Sequence, residues 1–326
     1  MIFQTAAVFA ALVCLVRVSA QSSKKIVLTN DDGWAVAQIR AQNDALKAAG
    51  YNVVLSGPAV DKSGTGSSST TPTKLSGPCE FNSCPSGSPA TGFNASDTRL
   101  NYVNAFPVDA ARFGIQTLAP QFFGSKPDFV VSGPNIGNNL GSTVLISGTV
   151  GAASEAAKEG IPSVAFSAAT GGQVSYTTLT SSPASTNSKA ALIYAAASVR
   201  LLDVLLASSA PILPSGISLN VNFPSTSSCT SASAFKFVLT RINSNSGATD
   251  VQTCGTTHLP TESSVVAKSG CFASVSVFDA STKGDVSAAT QAVVLGKLSS
   301  ILACSSDAMT SGARRQFRVL GLGNLQ

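Results

Sequence analysis

Apolar positions in the first two-thirds of the chain fall into two alternating rhythms. Short β-branched or apolar runs occur at Lys25 to Thr29, Tyr51 to Leu55, Phe129 to Ser132 and Ile161 to Ser167, as buried strands require. Between them lie stretches with helical spacing. Ala35 to Gly50 sets Ala35, Ile39, Leu46 and Ala49 on one face and stops at a glycine. Pro107 to Leu118 suits a helix with proline in its first turn, and Ser147 to Gly160 suits a helix of small residues. Strands separated by helices of this length predict a parallel sheet covered on both faces. Further along, Lys189 to Leu206 reads as a helix and Gln291 to Ala303 as a last one. Ile217 to Phe223, Phe235 to Arg241 and Ser274 to Phe278 read as strands. Ser63 to Thr73 and Ala168 to Ser188 are Ser/Thr/Gly-rich and read as loops. The fold class is α/β, with a mostly parallel sheet and an added antiparallel portion toward the C-terminus.

The first twenty residues change the picture of where the chain works. Ala6 to Val16 is apolar, and Val18-Ser19-Ala20 offers the small residues of a cleavage site, so 1–20 reads as a secretory signal. An N-terminal membrane anchor is the alternative, but the run is short for a bilayer span. The mature chain, 21–326, is then expected to be one soluble, secreted domain. It retains Cys79, Cys84, Cys229, Cys254, Cys271 and Cys304, an even set that predicts disulfides in an oxidising compartment. Cys79–Cys84 is the first expected pair and Cys254–Cys271 the second. No Cys-x-x-Cys occurs and His258 is the single histidine, which argues against zinc. Asn94-Ala95-Ser96 is a glycosylation sequon. With 11% charged residues and a formal charge of +5, the chain has no basic patch for a nucleic-acid duplex.

Candidate chemistry lies in four segments. Thr29-Asn30-Asp31-Asp32-Gly33 follows the first strand, at the end of a parallel sheet where ligands collect. Paired carboxylates there suit a hard divalent cation, and an ordinary Asx turn is the plainer explanation. Asp61-Lys62-Ser63-Gly64 follows the second strand and offers an oxygen ligand and a cation, or simply a polar loop. Val131-Ser132-Gly133-Pro134-Asn135-Ile136-Gly137-Asn138-Asn139-Leu140-Gly141 lets backbone approach a ligand, with asparagines as neutral ligands or donors. Ser147-Gly148-Thr149 opens a small-residue helix, where free N–H groups and hydroxyls make a phosphate cradle or a simple cap.

Taken in order, these segments resemble the SurE-like phosphatase/nucleotidase family. Its members open with a strand and Asn-Asp-Asp-Gly, continue with an Arg-Ser-Gly-like loop, and carry Ser-Gly-x-Asn-x-Gly-x-Asn followed by Ser-Gly-Thr-Val-x-Ala-Ala. Weaker echoes are Phe106-Pro107-Val108-Asp109, Gly160-Ile161-Pro162-Ser163 and Leu219-Asn220-Val221-Asn222-Phe223-Pro224, so the resemblance covers about Lys24 to Pro224. It implies a Rossmann-like three-layer α/β/α fold and a divalent-metal-dependent phosphomonoesterase acting on substrates such as nucleoside monophosphates. It also implies Mg or Mn as cofactor and assembly as a homodimer or larger. Residue by residue, it implies metal ligation by Asp31, Asp32, Ser63 and Asn135. Catalytic work falls to Asp31, Asp32 and Asn30, and phosphate binding to Ser147, Gly148, Thr149 and Lys62. Three positions depart from the pattern: Trp34 to Ala37 replace a Pro/Gly loop, Lys62 stands for arginine, and Leu145-Ile146 for an aromatic residue.

The single histidine removes rival hydrolases that need several. No Gly-x-Ser-x-Gly elbow supports a Ser-His-Asp hydrolase, and no Gly-x-Gly-x-x-Gly supports a dinucleotide binder. A secreted binding protein that kept the fold and lost catalysis is the remaining alternative.

Overall fold

In the computed structural model, which describes residues 23–305, every strand joins one sheet. The strands are β1 (Lys25–Thr29), β2 (Asn52–Pro58), β3 (Thr91–Asn94), β4 (Asp97–Val103) and β5 (Phe129–Ile136). They continue with β6 (Ser163–Ala168), β7 (Ile217–Phe223), β8 (Lys236–Thr240) and β9 (Phe272–Asp279). Their spatial order is β3-β4-β2-β1-β5-β6-β7-β9-β8. From β4 through β7 all pairings are parallel. β9 runs antiparallel to β7, and β8 pairs parallel with β9. The expected α/β class with a C-terminal antiparallel portion therefore holds. The segment read as a signal, 1–20, lies outside the described residues, and no described helix is long and apolar enough to cross a membrane.

The helices are α1 (Ala37–Ala48), α2 (Pro107–Phe113), α3 (Ala119–Phe123) and α4 (Gly148–Lys158). After them come α5 (Thr178–Ser181), α6 (Thr186–Leu206), α7 (Glu262–Val266) and α8 (Ala288–Leu298). α1 packs on α6 over one face of the sheet, and α2 packs on α4 over the other. Side chains alternate across a strand, so β1 feeds both layers. Ile26 and Leu28 join the core with Ile39, Leu46 and Tyr194, while Val27 joins Val54, Ile115 and Val130 on the opposite face. The helix expected over Pro107 to Leu118 runs further, through a π turn at Gly114–Leu118 into α3.

Other findings also differ from the sequence reading: α5 lies inside the Ala168 to Ser188 stretch expected to be a loop, and α7 forms where no helix was expected. The β3–β4 hairpin forms an antiparallel edge where none was expected. The second disulfide expectation, Cys254–Cys271, is overturned. Cys79–Cys84 forms, but Cys271 pairs with Cys229 and Cys254 with Cys304. The reason is topological: β9 starts beside the end of β7, which brings Cys271 to the residues that follow β7.

This topology creates one crevice. β1 sends its first connection to β2 on one side, and β5 lies on the other, so the strand order reverses at the carboxyl end of β1. Open α/β sheets bind ligands at such a switch point.

Candidate active site

Asp31 and Asp32 follow β1 directly and occupy the switch point. They are 2% and 1% exposed. Asp31 Oδ1 accepts a hydrogen bond from Thr149 Oγ1 at 2.6 Å. Asp32 Oδ2 accepts from the Ile136 N–H at 3.0 Å, and Oδ1 from Gln173 Nε2 at 3.0 Å. Every one of these donors is neutral, and neither aspartate joins an ion pair among the described residues. Burial raises the Asp31 carboxyl above its ordinary value against the pull of Thr149's hydroxyl and N–H. Burial, and next the charge of Asp31, push Asp32 well above.

The turn is shaped by its neighbours. Asn30 is fully buried and its Nδ2 donates to Gly33 O at 2.9 Å, so its amide nitrogen closes the turn. Its Oδ1 is buried without a hydrogen-bond partner. Gly33 has φ +113°, and a side chain there would collide with Glu80 Oε2. Glu80 sits inside the Cys79–Cys84 loop, and burial followed by the charge of Asp61 pushes its carboxyl to about 8.

The loop after β2 is tied to this turn through backbone. Lys62 N–H donates to Asp31 O at 2.8 Å. The Lys62 ammonium lies 5.8 Å from the Phe106 ring centre. Ser63 is exposed, and its hydroxyl donates to Asp61 Oδ1 at 2.7 Å rather than to either buried aspartate. The far side of the same loop is pinned by Asp109, which accepts from the Thr70 N–H at 2.9 Å. Asn135 donates from Nδ2 to Gly137 O at 2.7 Å, which leaves its carboxamide oxygen for a ligand.

The start of α4 closes the crevice. Ser147 caps the helix by accepting from the Val150 N–H at 3.1 Å. Gly148 is dictated by close approach: a Cβ would lie 2.8 Å from Asp31 Cβ and 2.9 Å from Pro107 Cγ. The N-terminal end of α4 thus points its N–H groups and positive dipole at Asp31.

The donor set fits a hard cation. Two ionised carboxylates buried side by side cost on the order of several kcal/mol without a counter-charge, and neutral hydrogen bonds offset only part of that. Among the described residues no third Asp, Glu, His or Cys completes a ligand cluster. Neutral oxygens must therefore supply the rest, as hard divalent ions accept.

Comparison with known proteins decides the family. Residues 26–249, more than half of the chain, match the family described as Survival protein SurE. The chain belongs to that family. An acid phosphatase from Yarrowia lipolytica is 36% identical over 291 residues, covering 78% of this chain and 79% of its own. The 5'-nucleotidase SurE of Lawsonia intracellularis is 36% identical over 142 residues, 44% of this chain and 50% of its own. This chain thus matches only about half the length of that bacterial relative. The structure of the SurE protein from Aquifex aeolicus superimposes with a TM-score of 0.55 at 24% identity, covering 78% of this chain and 93% of that one. That likeness confirms the Rossmann-like α/β fold.

Within this SurE-family chain the structure joins Asp31, Gly148 and Thr149 by direct contact, and Asp32 to the Asn135–Ile136 segment. It does not bring the Ser63 hydroxyl or the Lys62 ammonium onto the aspartates. Sequence reasoning passed over Gln173, because it lies in a stretch read only as a polar loop. It also passed over Glu80, whose sole signal was its place inside the first expected disulfide.

Proposed function

We propose that the Asp31–Asp32 centre hydrolyses phosphate monoesters with the help of a divalent cation. The observation that carries this is the buried carboxylate pair with neutral donors only, facing the N-terminus of α4. Asp31, Asp32, Asn135 and, after a turn of its hydroxyl, Ser63 would hold the cation, which supplies Lewis-acid neutralisation of phosphoryl charge. The Gly148 and Thr149 N–H groups at the start of α4 and the Ser147 hydroxyl bind the phosphoryl oxygens, where charge grows during transfer. Thr149 and the Ile136 N–H fix the two carboxylates, so they need not reorganise as the reaction proceeds. Asn30 keeps the turn in shape. Lys62, beside the mouth, attracts the anionic substrate as a point charge.

Nucleoside monophosphates as substrates, and Mg or Mn as the metal, come from the family. Secretion draws on the three disulfides and the sequence of residues 1–20. One domain from residue 21 onward draws on the single shared sheet. A homodimer and a glycan at Asn94 complete the proposal.

The test is phosphate release by the purified mature chain from a panel of nucleotides and an aryl phosphate. Release should vanish with EDTA and return with Mg or Mn. No release under any metal or pH would leave a binding protein on the same fold.

A further inference from the structure

Behind the Gly/Asn-rich loop lies a carboxylate that the mechanism above does not use. Glu262 is the first residue of α7, set there by Thr261, whose hydroxyl caps the helix. It is fully buried. Oε1 accepts from Asn220 Nδ2 at 2.7 Å, and Oε2 accepts from the Gly141 N–H at 3.1 Å. Asn220 also donates to Asn139 O at 2.9 Å, and Asn222 Nδ2 donates to the same oxygen at 3.2 Å. The Asn139 N–H in turn donates to Asn222 Oδ1 at 2.8 Å. Asn139 Nδ2 donates to Ser167 Oγ at 2.8 Å and reaches Thr149 Oγ1 at 3.5 Å. Thr149 then donates its one hydroxyl proton to Asp31.

An unbroken run of buried polar groups thus leads from Glu262 to Asp31. We infer that Glu262 is a positioning residue for the active centre: it fixes Asn139 and Gly141, and through Thr149 it sets the orientation of Asp31. This rests on the reading of Asp31 as part of a hydrolytic site. The direction of each bond supports it. Asn139 offers only its Nδ2 protons to Thr149, so Thr149 must act as acceptor there and keep its own proton for Asp31. Asn139 can hold that pose only while its main chain is gripped by Asn220 and Asn222, and Glu262 orients the Asn220 amide. An apolar side chain at 262 would leave the Gly141 N–H and Asn220 without their acceptor, the costly case for buried groups. Glu262 also lies beyond the family match at 26–249, so the C-terminal portion completes the site from outside that segment.

The test uses the full mature chain with Glu262→Ala and Glu262→Gln. Glu262→Ala should lower kcat about tenfold or more, because small misplacements of catalytic groups have large effects, while KM moves less than about twofold. Glu262→Gln keeps one acceptor oxygen and should fall between wild type and Glu262→Ala. Hydrogen exchange supplies the second arm. The Asn139 and Gly141 amides should exchange about tenfold faster in Glu262→Ala, with β1 and β5 amides unchanged. Unchanged kcat with unchanged loop exchange in a folded variant overturns the inference. So does faster exchange spread evenly over the sheet, which marks a merely structural role. If the wild type itself releases no phosphate, the activity reading fails, and exchange at Asn139 alone decides whether Glu262 grips the loop.

Discussion

Two clusters of buried charge in this protein are treated in opposite ways. In the C-terminal portion, Arg241 Nη1 meets Asp250 at 2.6 Å, and its Nη2 lies 3.5 Å from Asp285. Asp250 also receives Gln291 Nε2 at 2.8 Å and the Leu259 N–H at 2.9 Å. Burial alone raises the Asp250 carboxyl, but Gln291, Leu259 and the Arg241 guanidinium together bring it below its ordinary value. At the carboxyl end of β1, two equally buried carboxylates find no cation among the described residues and stay raised. The first cluster balances its own charge and serves the fold. The second leaves its charge to be balanced from outside, which is the electrostatic mark of a functional site.

Substitutions at the two clusters should therefore separate stability from activity. Asp31→Asn should cost about 10³-fold in kcat, the scale of a lost key electrostatic group. Its thermal melt should be unchanged or higher, since an unpaired buried charge is removed. A melt that falls along with activity would mean that Asp31 holds the fold rather than the chemistry. Asp250→Asn should do the reverse: unfolding free energy falls by about 3 kcal/mol in denaturant melts, with kcat per folded molecule near wild type. Gly148→Ala probes the contact between helix start and aspartate. Its Cβ would press on Asp31 and on the Pro107 ring, so kcat should fall about 10²-fold and unfolding free energy by about 1–3 kcal/mol. Normal turnover in this variant would show that Asp31 can shift freely.

The smallest expected effect is a pH dependence at Glu80. Its carboxyl is held at about 8, above the ordinary 4.5, by burial first and then by Asp61. The folded state therefore binds more protons than the unfolded one between these values. The stabilisation is full below pH 4.5 and is lost as pH rises through 8. Glu80→Gln should match wild type near the acid end and become the more stable of the two as pH rises. Melts that run parallel across that window would contradict the assignment.

Much of the Asp31–Asp32 cluster was legible in the sequence because its parts are local. Asn30 to Gly33 closes a strand, Ser147 to Thr149 opens a helix, and each carries its own turn chemistry. The strands Lys25–Thr29 and Ile217–Phe223 were equally plain, the first for its apolar run Ile26 to Leu28 and the second for its alternation of apolar and polar residues. Long-range pairing was not legible. Gln173 reaches Asp32 across 141 positions, and Glu262 reaches Gly141 across 121. Cys254 finds Cys304 rather than the nearer Cys271, because sheet order and not sequence distance sets neighbours. The β3–β4 hairpin escaped because β3 is a half-exposed edge strand of only four residues, with too little apolar alternation to register.

The central claim is that the Asp31–Asp32 pair is built to hold a divalent cation, and calorimetric titration of Mn2+ into metal-free wild type, Asp31→Asn and Asp32→Asn tests it most directly. Binding should be saturable in the wild type and at least about tenfold weaker in each variant. A parallel rise in wild-type stability should approach about 2.7 kcal/mol at a hundredfold excess over Kd. Equal binding in all three proteins, or no binding and no stabilisation in the wild type, would contradict it.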